Sequence, residues 1–138
     1  MAMVTSVMRV SHLLMTTAEA ALAPFGLSFA RFEILALLSF TRTGALPLGK
    51  VGDRLQVHPT SVSSAVGRLE RQGFATRRAH PSDGRTVLVE ITEEGRRVVK
   101  GATAALNDEV FTELPLTGRQ VADLYGLLTR FRANVGDF

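Results

Sequence analysis

Apolar side chains near the start of the chain recur at three- and four-residue steps, Val7, Val10, Leu14, Ala18 and Ala21, which predicts a helix over residues 4–23. Pro24 and Gly26 stop it. A second helix follows Ser28, an N-cap residue type, and runs through FARFEILALLSF towards Gly44, with Phe29, Phe32, Leu35 and Leu38 or Ser39 as its stripe. It is apolar on nearly all sides, the pattern of a helix at the centre of a core. LGKVGDRL predicts a short third helix with Leu48, Val51, Gly52 and Leu55 on one face. Gly52 weakens it, since an interior glycine costs roughly 1 kcal/mol against alanine. A fourth helix opens at Pro59, where a missing N–H is no loss, carries Val62, Ala65, Val66 and Leu69 as its stripe, and ends at Gly73.

Beyond Gly73 the period shortens to two. Residues 74–79 and 86–91 read as strands, Val87, Val89 and Ile91 alternating with Leu88 and Glu90, and the turn-rich His-Pro-Ser-Asp-Gly between them predicts a hairpin. Thr92 then caps a long helix whose first turn holds Glu93 and Glu94, where the helix dipole favours anions. Val98, Ala102, Ala105 or Leu106, Glu109 or Val110, and Leu114 carry that helix to Pro115. Thr117 with Gln120 forms a capping box for a last helix with the stripe Val121, Leu124, Leu128 and Phe131. Two short helices joined by Gln56-Val57-His58 and followed by a hairpin are the parts of a winged helix-turn-helix. The fold class expected is therefore mainly α with a small β-hairpin wing. Residues 1–138 are read as one domain, with a DNA-binding part over 28–91 and dimerisation helices in 1–27 and 92–138. The terminal helices are apolar enough to need a partner, hence the homodimer expectation.

The chain has no cysteine, which removes disulfides, thiolate ligands and thiol redox sensing together. No unbroken apolar run of about 18 residues is present, so neither a signal peptide nor a membrane span is expected and the cytoplasm is the expected compartment. Net charge is only +3, but it is unevenly placed. From Lys50 to Arg85 there are seven basic against three acidic side chains, and elsewhere nine against ten. That distribution directs a polyanion to the helix-turn-helix and hairpin.

A helix that lies in a DNA major groove needs small polar residues at its N-terminal and outward positions. With Val62, Val66 and Leu69 buried, the fourth helix presents Thr60, Ser61, Ser63 and Ser64, preceded by His58 and Pro59 and followed by Arg68. Arg77, Arg78 and Arg85 surround the hairpin turn. Asp83, two residues before Arg85, is placed to hold its guanidinium and aim it outward, towards a narrow minor groove. Ser61, Ser63 and Ser64 lack a G-x-S-x-G elbow, a phosphate loop or paired carboxylates, so no enzyme is expected. His12, His58 and His80 are too scattered for a metal site, and no cofactor is implied.

The runs LSFARFEILALL and HPTSVSSAVGRLERQGFATRRAHPSDGRTVLVEITEEGRRV, over residues 27–99, resemble the MarR family of bacterial transcription regulators. The resemblance implies a triangular homodimer on a pseudo-palindromic double-stranded operator, with Arg85 at the minor-groove position of the wing and Pro59, Thr60, Ser61, Ser63 and Ser64 at the major-groove face. It further implies a repressor released by a small aromatic or phenolic ligand bound between the dimer region and the winged part. His12, Arg31 and Tyr125, polar residues in largely apolar helices, are the candidates to line that cleft. Two departures stand out: many relatives carry arginine at the place of Ser64, which weakens guanine readout here, and usually alanine at the place of Gly52, which implies a looser third helix. The alternative reading is a winged-helix protein-interaction module with only non-specific DNA binding.

Overall fold

A computed structural model describes residues 1–137. Nine regular elements follow in order: α1 (Ala2–Leu22), α2 (Phe29–Ser39), β1 (Ala45–Pro47), α3 (Leu48–Leu55), α4 (Pro59–Arg71), β2 (Ala75–His80), β3 (Asp83–Ile91), α5 (Glu93–Leu106) and α6 (Gly118–Asn134). A 3-10 turn, Ala23–Phe25, ends α1, and Gly26 in the left-handed region (φ 68°) releases the chain into α2. The caps read from sequence close as hydrogen bonds. Ser28 accepts from the Arg31 N–H, Thr92 from the Gly95 N–H, and Thr117 and Gln120 satisfy each other's backbone.

α2 lies at the centre, with Ile34, Leu35 and Leu38 buried. Around it pack Leu22 of α1, Val51 of α3, Val62, Val66 and Leu69 of α4, Val89 of β3 and Leu106 of α5, each essentially without solvent contact. On α5 the buried stripe is Val99, Ala102 and Leu106, one residue later than Val98, which packs at the margin. The α-helix ends at Leu106, earlier than the expected Pro115, and continues as a π-turn, Asn107–Phe111. The widened turn keeps Val110 in the core in line with Leu106.

The wing differs from a simple hairpin. β1 adds a third antiparallel strand in the order β1-β3-β2, so that Val89 pairs with both Leu46 and Arg77. β3 begins at Asp83, three residues before the expected start at Thr86, and His80 pairs with Asp83 beside an irregularity at Ala79/His80. The connection is thereby shortened to Pro81-Ser82.

The junction of α4, wing and α5 is tight. Gly73 (φ 77°) turns the chain out of α4, and its carbonyl accepts the Thr92 hydroxyl at 2.7 Å. Thr92 donates its N–H to the Phe74 carbonyl at 3.0 Å. Gly95 then passes so close that a Cβ there would lie 2.1 Å from the Phe74 carbonyl oxygen. The second glycine of this junction is thus required by space, not by backbone angle.

The two ends of the chain are uncovered. α1 buries only Ala18, Ala21 and Leu22, leaving Val7, Val10 and Leu14 exposed. α6, 17 residues long, buries none, although Leu124, Leu128 and Phe131 recur along one face. Among the described residues no single helix is long and apolar enough to cross a membrane.

Two stability predictions follow from this packing. Gly95→Ala is expected to destabilise by about 2–3 kcal/mol in urea unfolding, because the neighbour that must move is backbone. Glu33 of α2 is half-buried with no partner among the described residues, and burial raises its carboxyl pKa. A raised folded-state pKa means the native state holds the proton more tightly than the unfolded chain, so stability falls as pH rises from about 4.3 through the folded value. Glu33→Gln should therefore raise Tm at pH 7, and the gain should vanish near pH 4.

Candidate nucleic-acid interface

The turn between α3 and α4 is set by Gln56, whose φ of 54° is the one non-glycine positive value among the described residues. Its left-handed conformation lets the N–H groups of Gln56 and Val57 both return to the Gly52 carbonyl. A Cβ on Gly52 would lie 3.2 Å from the Val57 carbonyl oxygen, so the missing methyl lets the turn close against α3. His58 then caps α4, its Nδ1 accepting the Thr60 N–H at 3.2 Å, with Pro59 in the first turn. With Val62, Val66 and Leu69 buried, Thr60, Ser61, Ser63, Ser64 and Arg68 are all exposed. Among the described residues the hydroxyls of Thr60, Ser61 and Ser64 and the guanidinium of Arg68 have no intramolecular partner.

Of the three wing arginines, two find partners among the described residues and Arg85 does not. Arg77 Nη1 pairs with Glu70 Oε2 at 2.6 Å, its backbone N–H reaches Glu70 Oε1 at 3.0 Å, and Nη2 donates to the Ser63 carbonyl at 2.7 Å and hydroxyl at 3.2 Å. It is a brace that fastens β2 to the outward flank of α4. Arg78 crosses to Glu90 Oε2 on β3 at 2.5 Å in an exposed pair. Arg85 is exposed and unpartnered, and it lines a shallow groove with Thr86, Val87 and, from α3 and the residue before it, Pro47, Gly49, Lys50 and Asp53. In the sequence Lys50 is one cation among seven between residues 50 and 85; its place opposite Arg85 is visible only once β3 is folded against α3.

Asp83 does not hold the Arg85 guanidinium. Its carboxylate accepts the Thr86 hydroxyl at 2.7 Å and the Arg85 backbone N–H at 3.1 Å, because a carboxylate at this spacing meets the main chain two residues on before it reaches a long side chain. These two hydrogen bonds, that of Thr86 foremost, lower its pKa below the usual aspartate value. Asp83 stiffens the tip and leaves the arginine charge unneutralised. His80 Nδ1 does the same for the other side of the turn, accepting the Ser82 N–H at 3.2 Å.

The three residues expected to line a ligand cleft do not meet. An apolar cavity of about 460 Å³ does lie between α1, the start of α2, the π-turn and α6, with Val10, Leu14, Met15, Phe29, Phe111 and Leu128 among its walls and Ser6 and Ser11 as its polar groups. His12 is exposed on α1, Tyr125 is 69% exposed on α6, and neither lines it. Arg31 lies elsewhere, between α2 and α4. A polar residue in a largely apolar helix need not face inward: Ser11 beside His12 and Leu124 beside Tyr125 line the cavity instead.

This arrangement of three-stranded wing, braced recognition helix and uncovered end helices has close counterparts. A family model described as the MarR family matches residues 25–86, a stretch that contains every candidate DNA-contacting residue. Sco5413, a MarR family transcriptional regulator from Streptomyces coelicolor, superposes with a TM-score of 0.92 at 40% identity, over 99% of this chain and 95% of its own. The chain belongs to the MarR family. A second MarR family structure, Sco3205 from the same organism in complex with DNA, superposes with a TM-score of 0.80 at 26% identity, over 94% of this chain and 82% of its own. An HTH-type transcriptional regulator of Mycobacterium bovis is 33% identical over 92 residues, which make up 67% of this chain and 64% of that relative.

The brace gives the interface a checkable dependence. In this MarR family chain Glu70→Ala should cost about 1 kcal/mol or less of global stability, since the pair is roughly one-third exposed. It should nonetheless speed hydrogen exchange at the Arg77 amide, whose acceptor it removes. Unchanged exchange there would show that the wing is held without Glu70.

Proposed function

We propose that this chain is a sequence-specific regulator of transcription that binds double-stranded DNA as a homodimer. The observation that carries the reading is the outward face of α4. Among the described residues Thr60, Ser61, Ser64 and Arg68 have no side-chain partner, and the exposed guanidinium of Arg85 stands at the tip of the adjoining wing. A helix of this kind fits the major groove, where hydroxyls take either phosphates or base edges, and an arginine on the wing suits the enhanced negative potential of a narrow minor groove.

The homodimer is supported by the bare apolar faces of α1 and α6, which a second copy would cover on a two-fold axis. Two recognition helices roughly 34 Å apart then meet successive major grooves of a pseudo-palindromic site. A dimer seated in that way excludes other proteins from the same duplex, which is the physical basis for a repressor. The cavity beside Phe29 offers the means of release. Its nearly all-apolar walls suit a small aromatic or phenolic molecule whose single polar group meets Ser6 or Ser11, and its occupation would shift α2 against α1 and α6.

The test is fluorescence anisotropy against duplex from upstream of the protein's own gene and against scrambled duplex, at two salt concentrations. Tight, selective binding by two protomers per site is the expected result; weak and equal binding to both duplexes favours the interaction-module reading instead. Arg85→Ala should weaken operator binding at least tenfold and leave the dimer intact by light scattering. Leu128→Glu should do the reverse in order, splitting the dimer first and losing the operator as a consequence.

A further inference from the structure

α4 has two flanks, and they are electrostatically unlike. On the wing side Arg77 is neutralised by Glu70 and bonded to Ser63. On the α2 side a polar groove runs between the two helices, lined by Ser28, Arg31, Thr60, Ser61, Ser64 and Arg68. No acid pairs with either of its arginines.

Arg31 is held through two of its three guanidinium nitrogens. Its Nε donates to the Ser28 hydroxyl at 3.1 Å, and its Nη1 to the Gly26 carbonyl at 2.9 Å and to Gln72 Oε1 at 2.8 Å. Gln72 is itself anchored by its Nε2 to the same carbonyl at 2.7 Å. Nη2 has no acceptor among the described residues. A guanidinium that is fixed by neutral groups, half-buried and left without a counter-ion has lost part of its hydration without electrostatic return. Placing Arg68 in the same groove adds like-charge repulsion. An anion in the groove resolves both costs.

We propose that Arg31 and Arg68, with the hydroxyl of Ser61, grip one backbone phosphate of the duplex on the α2 flank of the recognition helix. The inference rests on the DNA-binding reading and adds a contact that α2 makes. A helix with its side chains is about 10–12 Å across and the major groove about 12 Å wide, so the flanks of an inserted helix face the phosphates while its crest faces the bases. Thr60 and Ser64 lie on that crest and also border the groove, which places the anion beside the readout face. Arg31 is thus a positioning residue: it fixes how the helix sits and carries no base preference.

The experiment uses the full-length protein, a duplex selected from a random library, and a scrambled duplex, over a salt series. Arg31→Ala should weaken both complexes by the same factor, about tenfold, and lower the slope of log K against log salt by about 0.9 per protomer bound. Gln72→Ala, which loosens the anchor but keeps the charge, should leave that slope unchanged. Arg68, exposed and unpartnered, supplies a variant that folds whatever happens at Arg31. Arg68→Ala should lower the slope by a similar increment, and the double variant should lose less than the two singles together. Single methylphosphonate substitutions along the selected duplex should reveal one phosphate per half-site that the native protein senses and Arg31→Ala does not. A native slope in Arg31→Ala, or an identical methylphosphonate profile, overturns the proposal while the DNA-binding reading stands. Absence of any duplex binding by the native protein overturns both.

Discussion

The recognition helix, packed on α2 and turned out of α3 at Gln56, is fixed to α5 through a short stretch of backbone at the base of the wing. Gly73 turns out of α4, Phe74 leads into the first long wing strand, and Thr92 and Gly95 return beneath them into α5. The Thr92 hydroxyl donates to Gly73 and accepts from Gly95, while its N–H is taken up by Phe74, so one residue closes three backbone groups that would otherwise be orphaned at a helix end. Because Gly95 leaves no room for a methyl group, α5 cannot slide against the wing without breaking these bonds. The orientation of α4 is therefore fixed relative to α5, and through the π-turn to the apolar helices at the chain ends.

Those end helices impose the second constraint. α6 has an apolar stripe but buries no residue, and the N-terminal half of α1 is equally bare, so neither is stabilised by packing on its own chain. Helical stability in water comes mainly from tertiary burial of an amphipathic face, which these two lack within one copy. Just beyond the end of α6 the chain reaches back to the helix-turn-helix, where the Gln56 side chain donates to the Asp137 carbonyl at 3.2 Å. Gln56 is the residue that makes the α3–α4 turn, so the far end of α6 bears on the element that sets the angle of the recognition helix. The molecule is built so that whatever covers α6 has a short mechanical route to α4.

The sequence discloses the parts of this design that are local. Val62, Val66 and Leu69 declare the buried face of α4 through spacing alone, and Ser28, Thr92 and Thr117 mark helix starts because an N-cap bonds within three residues of itself. What it conceals is long-range. β1 is three residues ending in proline, and it becomes a strand only because Leu88 to Glu90 offer it an edge. Arg77 reads as a cation for DNA until folding brings Ser63 and Glu70 to it, and Arg31 reads as a polar residue in an apolar helix until Gln72, 41 positions on, joins it at Gly26. Asp83 fails for the opposite reason: its nearest donors are closer in sequence than the one assigned to it.

The distribution of charge and hydroxyls bears on how such a protein discriminates among sequences. The crest of α4 carries Thr60 and Ser64, and a hydroxyl can donate or accept, so each satisfies several base edges where a bidentate arginine or asparagine would accept few. The cations stand at the periphery instead: Arg31 and Arg68 along the α2 flank, Lys50 on α3, and Arg85 at a wing tip that Asp83 and His80 stiffen. Cations at the edge reward a duplex whose phosphates and minor groove lie where the rigid protein needs them, with little regard for individual bases. Under the proposed reading, selectivity resides in DNA shape and in the separation of two half-sites more than in any single base contact. In the proposed dimer the recognition helices must be held at a fixed distance, which would give the tight Gly73–Thr92–Gly95 junction its function and make the bare faces of α1 and α6 part of the reading surface.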